Sequence, residues 1–95
     1  MIVTATLPTG VKYYKSTPTF TQQSVPAALL SEHSTKAGVW GMLNVESGAL
    51  RYVITDAGNE SEQWLEAGDI AVIVAEQTHY VEPLGDVAFH VAFYK

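Results

Sequence analysis

The chain has 95 residues, no cysteine, and a formal net charge of −5 from ten acidic and five basic residues. That length allows one domain, taken as 1–95, and the missing cysteines exclude a disulfide framework, thiolate zinc sites and cysteine nucleophiles. The acidic balance leaves no basic footprint for nucleic acid or for an anionic membrane surface.

A 47% hydrophobic fraction supplies a core, although so small a domain is marginally stable and a homodimer would bury more surface. The opening segment, MIVTATLPTGVKYYK, has neither the basic start nor the apolar run of a leader peptide. No stretch approaches the roughly 18 apolar residues of a membrane span, so a soluble, cytoplasmic protein is expected. Turn signals recur along the chain: PTG at 8–10, TP at 17–18, SG at 47–48, DAGN at 56–59, AGD at 67–69 and PLGD at 83–86. Short β-branched and aromatic runs between them predict an all-β antiparallel sandwich or barrel.

PAALLSEH (26–33) has proline at a helix-start position followed by good helix formers. Over so short a segment propensity is a weak guide, and a strand is preferred. GVWGMLNV (38–45), ESG and ALRYVIT (49–55) read as a hairpin with Gly48 in the turn. Leu50, Tyr52 and Ile54 alternate with Arg51, Val53 and Thr55, the period of two of a strand. EQWLE (62–66) is a further strand. IAVIVA (70–75), apolar on both faces, is expected to be central and well covered. In DVAFHVAFY (86–94), Phe89, Val91 and Phe93 share one face, with His90, Ala92 and Tyr94 on the other. The aromatic set Trp40, Tyr52, Trp64, Phe89, Phe93 and Tyr94 is assigned to the core.

GDIAVIVAEQTH resembles the second motif of cupin barrels, with Gly68 and His79 correctly separated and Val74 and Glu76 in the places of its proline and second glycine. NVESGALRY is similar to the end of the first cupin motif. A narrower resemblance covers almost the whole chain. YKSTPTFT (14–21), PAALLSEHSTKAGVWGMLNVESGALRY (26–52), HYVEP (79–83) and FHVAFY (89–94) look like the TehB/YeaR-like domain. That domain forms the N-terminal part of some tellurite-resistance TehB proteins and also occurs alone. The resemblance implies a small antiparallel, jelly-roll-like cupin barrel and a link to tellurite or related oxyanion stress. No GxGxxG-like loop lies between a strand and a helix, and 95 residues leave no room for a methyltransferase half. Tellurite methylation is therefore not expected of this chain alone.

The cupin ligand set is incomplete. The places of its first two histidines and its glutamate hold Ser34, Lys36 and Gly41, with His33 one step off the first. His33 and His79 remain as candidate metal ligands, which a closed barrel would bring within roughly 3–5 Å of each other, and His90 is a candidate third. Zinc is the expected ion, on availability and tolerance of geometry. Each residue also has a plainer role open to it: His90 as a core or interface residue, Glu82 as a surface carboxylate. Two functional readings follow, beside a plainer one in which the chain is a structural dimer whose histidines do nothing. One is a module that binds a metal or small ligand; the other is a cupin enzyme whose histidine-bound metal activates water or dioxygen. The missing glutamate and histidine count against the second.

Overall fold

The computed structural model describes residues 6–95. Residues 1–5, part of the segment read as lacking a leader, lie outside that range. Among the described residues six strands form one antiparallel sheet: β1 Tyr13–Ser16, β2 Phe20–Thr21, β3 Trp40–Ile54, β4 Ser61–Glu66, β5 Ile70–Ile73 and β6 His79–Tyr94. The sheet path is β1-β6-β3-β4, with β2 added to β6 and β5 to β3. The all-β expectation holds. The barrel is not closed, because among the described residues no pairing joins β4 to β1.

Two long strands make the spine. β3 and β6 pair from Trp40↔Tyr94 to Ile54↔His79, with irregularities between Val45 and Ser47 and between Gly48 and Leu50. This corrects the hairpin expected at 38–55. ESG does not reverse the chain; it is a bulged bend inside one 15-residue strand. Gly48 has φ +72, and a Cβ there would lie 1.9 Å from the Asp86 carbonyl oxygen. The left-handed residue serves a bulge because β6 keeps pairing with β3 on both sides of it, so the ladder continues where a hairpin would fold back. PLGD, read as a turn, lies within β6 opposite this bend.

The bend also shifts the alternation. Gly41, Leu43 and Val45 face inward before it, and Leu50 and Tyr52 after it, a one-residue change of parity that the bulges supply. The first half of β3 pairs with β5 (Gly41↔Ile73 to Asn44↔Ile70) and the second with β4 (Ala49↔Glu66 to Ile54↔Ser61). β5 is therefore well buried as expected, but it pairs only with β3 and is not a central strand. Its burial comes from packing, with Ala71 and Ile73 part of the core cluster.

That core contains Leu43, Val45, Leu50, Tyr52, Leu65, Ile73, Val81, Val87, Phe89 and Val91, with Phe20, Leu29 and Phe93 packed against it. Phe20 meets Phe89 edge to face, ring centroids 5.8 Å apart, in the geometry aromatic quadrupoles favour. Gln22 ties the preceding loop to the bend: its Nε2 donates to Asp86 Oδ1 at 2.9 Å and its Oε1 accepts from Val87 N–H at 3.0 Å. Trp64 departs from its core assignment. It is 60% exposed on β4, on the face opposite buried Leu65.

Candidate ligand-binding site

The segment ahead of His33 departs from the expected strand. Pro26, extended at φ −61 and ψ 140, leads into a single 3-10 turn, Ala27–Leu30, and Ser31 returns the chain to extended geometry. Four residues of good helix former suffice for one turn but are too few to nucleate an α-helix. The extended exit places His33 beside the first residue of β6. Its N–H donates to the His79 carbonyl at 3.0 Å, and His79 N–H donates back at 2.9 Å. On its other side His79 pairs with Ile54 of β3.

The turn entering β6 adds a second tie. Glu76 has φ +66, the only non-glycine with positive φ among the described residues. It stands where the cupin motif has glycine, and a left-handed non-glycine residue costs roughly 1–2 kcal/mol. Its N–H donates to Thr35 O at 3.1 Å, which holds the loop after His33 against the loop before His79.

The two imidazoles lie together, ring centroids 4.3 Å apart and planes inclined by 67°. This meets the close approach expected of them. His33 Nδ1 lies 2.9 Å from Ser31 O, and His79 Nδ1 lies 2.8 Å from Gln77 O. A carbonyl only accepts, so both Nδ1 atoms carry the hydrogen, and each neutral ring keeps its lone pair on Nε2. His79 is 2% exposed, and burial pushes its pKa down to about 4, against the opposing hydrogen bond to Gln77 and with a smaller push from His33. At neutral pH it is an uncharged acceptor or ligand. Tyr52 lies against it, ring centroids 5.5 Å apart; burial raises its phenol pKa, and its hydroxyl is buried without a partner among the described residues.

The pair lines a cavity of about 490 Å³. Leu29, Val39, Ile73, Val91 and Phe93 supply its apolar wall, and Lys15, Lys36 and Lys95 also line it. The lysines are exposed and His79 is buried, so the charges form the rim and an imidazole the floor.

His90, the third expected ligand, is placed elsewhere. Its Nδ1 lies 2.6 Å from Glu46 Oε2, which also accepts from Thr19 Oγ1 at 2.8 Å. It is not among the cavity's residues. Glu82 is a surface carboxylate, as expected, bound to Arg51 at 3.1 Å. Among the described residues no three His, Asp or Glu side chains gather to hold a metal ion. Sequence reasoning missed the three lysines. They lie on three distant segments with no shared motif, and only the fold gathers them.

A family profile of the TehB-like domain matches residues 15–91. The YeaR protein of Escherichia coli (strain K12) is 30% identical over 96 residues, covering 93% of this chain and 81% of YeaR. A Haemophilus influenzae protein named "Probable S-adenosyl-L-methionine-dependent methyltransferase TehB" is 32% identical over 76 residues, 77% of this chain and 27% of that protein. Among solved structures, one from E. coli (strain K12) superposes with a TM-score of 0.85 at 29% identity, covering 96% of each chain. The crystal structure of H. influenzae TehB superposes with a TM-score of 0.79 at 30% identity, covering 88% of this chain and 31% of TehB.

Proposed function

The chain belongs to the TehB-like domain family, and on that footing we propose that it is a small-ligand-binding module whose binding site is the cavity floored by His33 and His79. The observation that carries this reading is the pair of adjacent imidazoles, each with Nδ1 tied to a backbone carbonyl, in a partly apolar cavity of about 490 Å³. Small-molecule sites combine an apolar wall with a few fixed polar groups in this way. The role follows as binding, sensing or sequestering in tellurite or related oxyanion stress, the setting of TehB proteins. A cytoplasmic location and pairing of two copies belong to the same proposal. Among the described residues no helix is long and apolar enough to cross a membrane.

A metal-binding reading comes second, favoured by the hydrogen bonds at Nδ1. Metal-bound histidines characteristically donate their other ring N–H to a carbonyl or carboxylate, which orients the ligating nitrogen. Zinc would take His33 and His79 through Nε2 and would polarise a bound water or ligand. Two protein ligands hold an ion weakly, and the lysines repel it, so the donor set fits an ion only in part. The enzyme reading, which needs a firmly held metal, is the weaker for the same reason.

Titrating a diverse fragment library into the ¹⁵N-labelled chain tests the proposal. Hits are expected to shift the amides of Thr35, Ile73, His79 and Phe93, and hits confined to other surfaces would overturn it. Calorimetry with zinc decides the second reading. If zinc is the ligand, His33→Ala and His79→Ala each remove most of the heat while His90→Ala leaves it; equal heats in all four proteins contradict that reading.

A further inference from the structure

We infer that the ligand of this cavity is a small organic anion, its charged end among Lys15, Lys36 and Lys95 and its body on the apolar wall. The inference rests on the binding role proposed for the cavity and adds the chemistry of what binds.

The charge distribution is the starting point. The chain carries twice as many acidic as basic residues, yet three of its five basic side chains line this one cavity and, among the described residues, no Asp or Glu side chain does. The ion pairs seen among the described residues, Arg51 with Glu62 and Glu82 and His90 with Glu46, involve none of the three lysines. The ammonium groups of Lys15 and Lys95 are held by aromatic rings. Lys15 Nζ lies 5.6 Å from the Phe93 ring centroid and 5.7 Å from that of Tyr14, and Lys95 Nζ lies 4.4 Å from Tyr14. Such contacts steer an ammonium without neutralising it. Like charges gathered around a concave, partly apolar surface focus a positive potential into it. In a protein of net charge −5, that local positive field favours an anion here.

The floor imposes a different demand. The unprotonated Nε2 atoms of His33 and His79 accept hydrogen bonds and repel a carboxylate oxygen, so the charge belongs at the rim and a hydroxyl or N–H donor at the floor. Between them, Val39, Ile73, Val91 and Phe93 require an apolar body. An inorganic oxyanion would meet only the rim.

4-Hydroxybenzoate combines these three features. 4-Hydroxybenzamide keeps the shape and the hydroxyl without the charge, and inorganic phosphate keeps only the charge. Affinities are read by NMR titration of the full chain at low salt. The benzoate is expected to shift cavity amides and to bind about tenfold more tightly than the benzamide, the scale of one charge-assisted hydrogen bond. The Lys15→Gln, Lys36→Gln, Lys95→Gln triple variant is expected to close that gap, and phosphate to bind more weakly than the benzoate. The exposed glutamines leave the core intact, which the dispersion of the amide spectrum verifies, and single variants replace the triple one if it fails. The inference is overturned if the benzamide or phosphate binds as tightly as the benzoate, or if the lysine variants leave the gap unchanged. Neutral fragments in the cavity with no response to the benzoate would overturn this inference alone; a library that never reaches the cavity removes the binding role itself.

Discussion

Gly48→Ala is expected to destabilise the fold by about 3–5 kcal/mol, combining the left-handed penalty for an L-residue with the cost of overpacking. Two observations set the size of the effect. Gly48 has φ +72, and its added Cβ would lie 1.9 Å from Asp86 O and 2.9 Å from Val87 Cα, both backbone atoms of β6 that no rotamer change can move. Relief requires separating β3 from β6 at the bend, where both halves of the sheet are joined. A domain of this size has on the order of 5–15 kcal/mol to lose, so the variant should approach marginal folding. Gly68→Ala is the control. It shares a positive φ of +91 but has nothing within 4 Å of its added Cβ, so only the backbone penalty of about 1 kcal/mol applies. Urea midpoints of the two variants measure the difference. Equal midpoints would show that the bend is not held by close approach of the two strands.

The second large effect is on pH dependence. The folded chain holds the His79 imidazole near 4, whereas an exposed histidine titrates near 6.5. As pH falls below 6.5 the unfolded chain takes up a proton that the native state refuses, so stability drops. The contribution is complete above 6.5, is lost progressively between 6.5 and about 4, and falls no further below that. At about 1.4 kcal/mol per pKa unit the full loss is about 3 kcal/mol. Glu46 is held below its ordinary 4.5 by His90 and Thr19. It adds its own loss only under that value, so the interval from 6.5 to 4.5 reports on His79. Unfolding free energies across this interval should slope for the parent chain and be nearly flat for His79→Gln. Parallel slopes would place His79 in a solvated environment.

How much of this was legible in the sequence divides by range. Period-two alternation correctly placed Leu50 and Tyr52 on one face and Phe89 and Val91 on another, because side-chain direction in a strand is local. The spacing from Gly68 to His79 pointed to the histidine that the fold sets against His33. Gly48 was misread because a left-handed glycine serves a bulge as well as a turn, and only the continuing β6 partner distinguishes them. IAVIVA (70–75) was misread as central because apolarity on both faces reports burial and not strand order. The preference for a strand over 26–33 failed because four residues of helix former were enough for one 3-10 turn. The lysine rim had no sequence signal at all: positions 15, 36 and 95 meet only after β1, the loop following His33 and the end of β6 come together.

The central claim is that His33 and His79, each tied through Nδ1 to a backbone carbonyl, line one binding cavity, and long-range ¹H–¹⁵N NMR of the histidine rings tests it most directly. Both rings should show a protonated Nδ1, and His79 a bare Nε2 at neutral pH, with the two Nε2 resonances moving together as a cavity ligand saturates. Protonated Nε2 on His79, or Nε2 resonances that stay fixed while a ligand binds, would contradict the account.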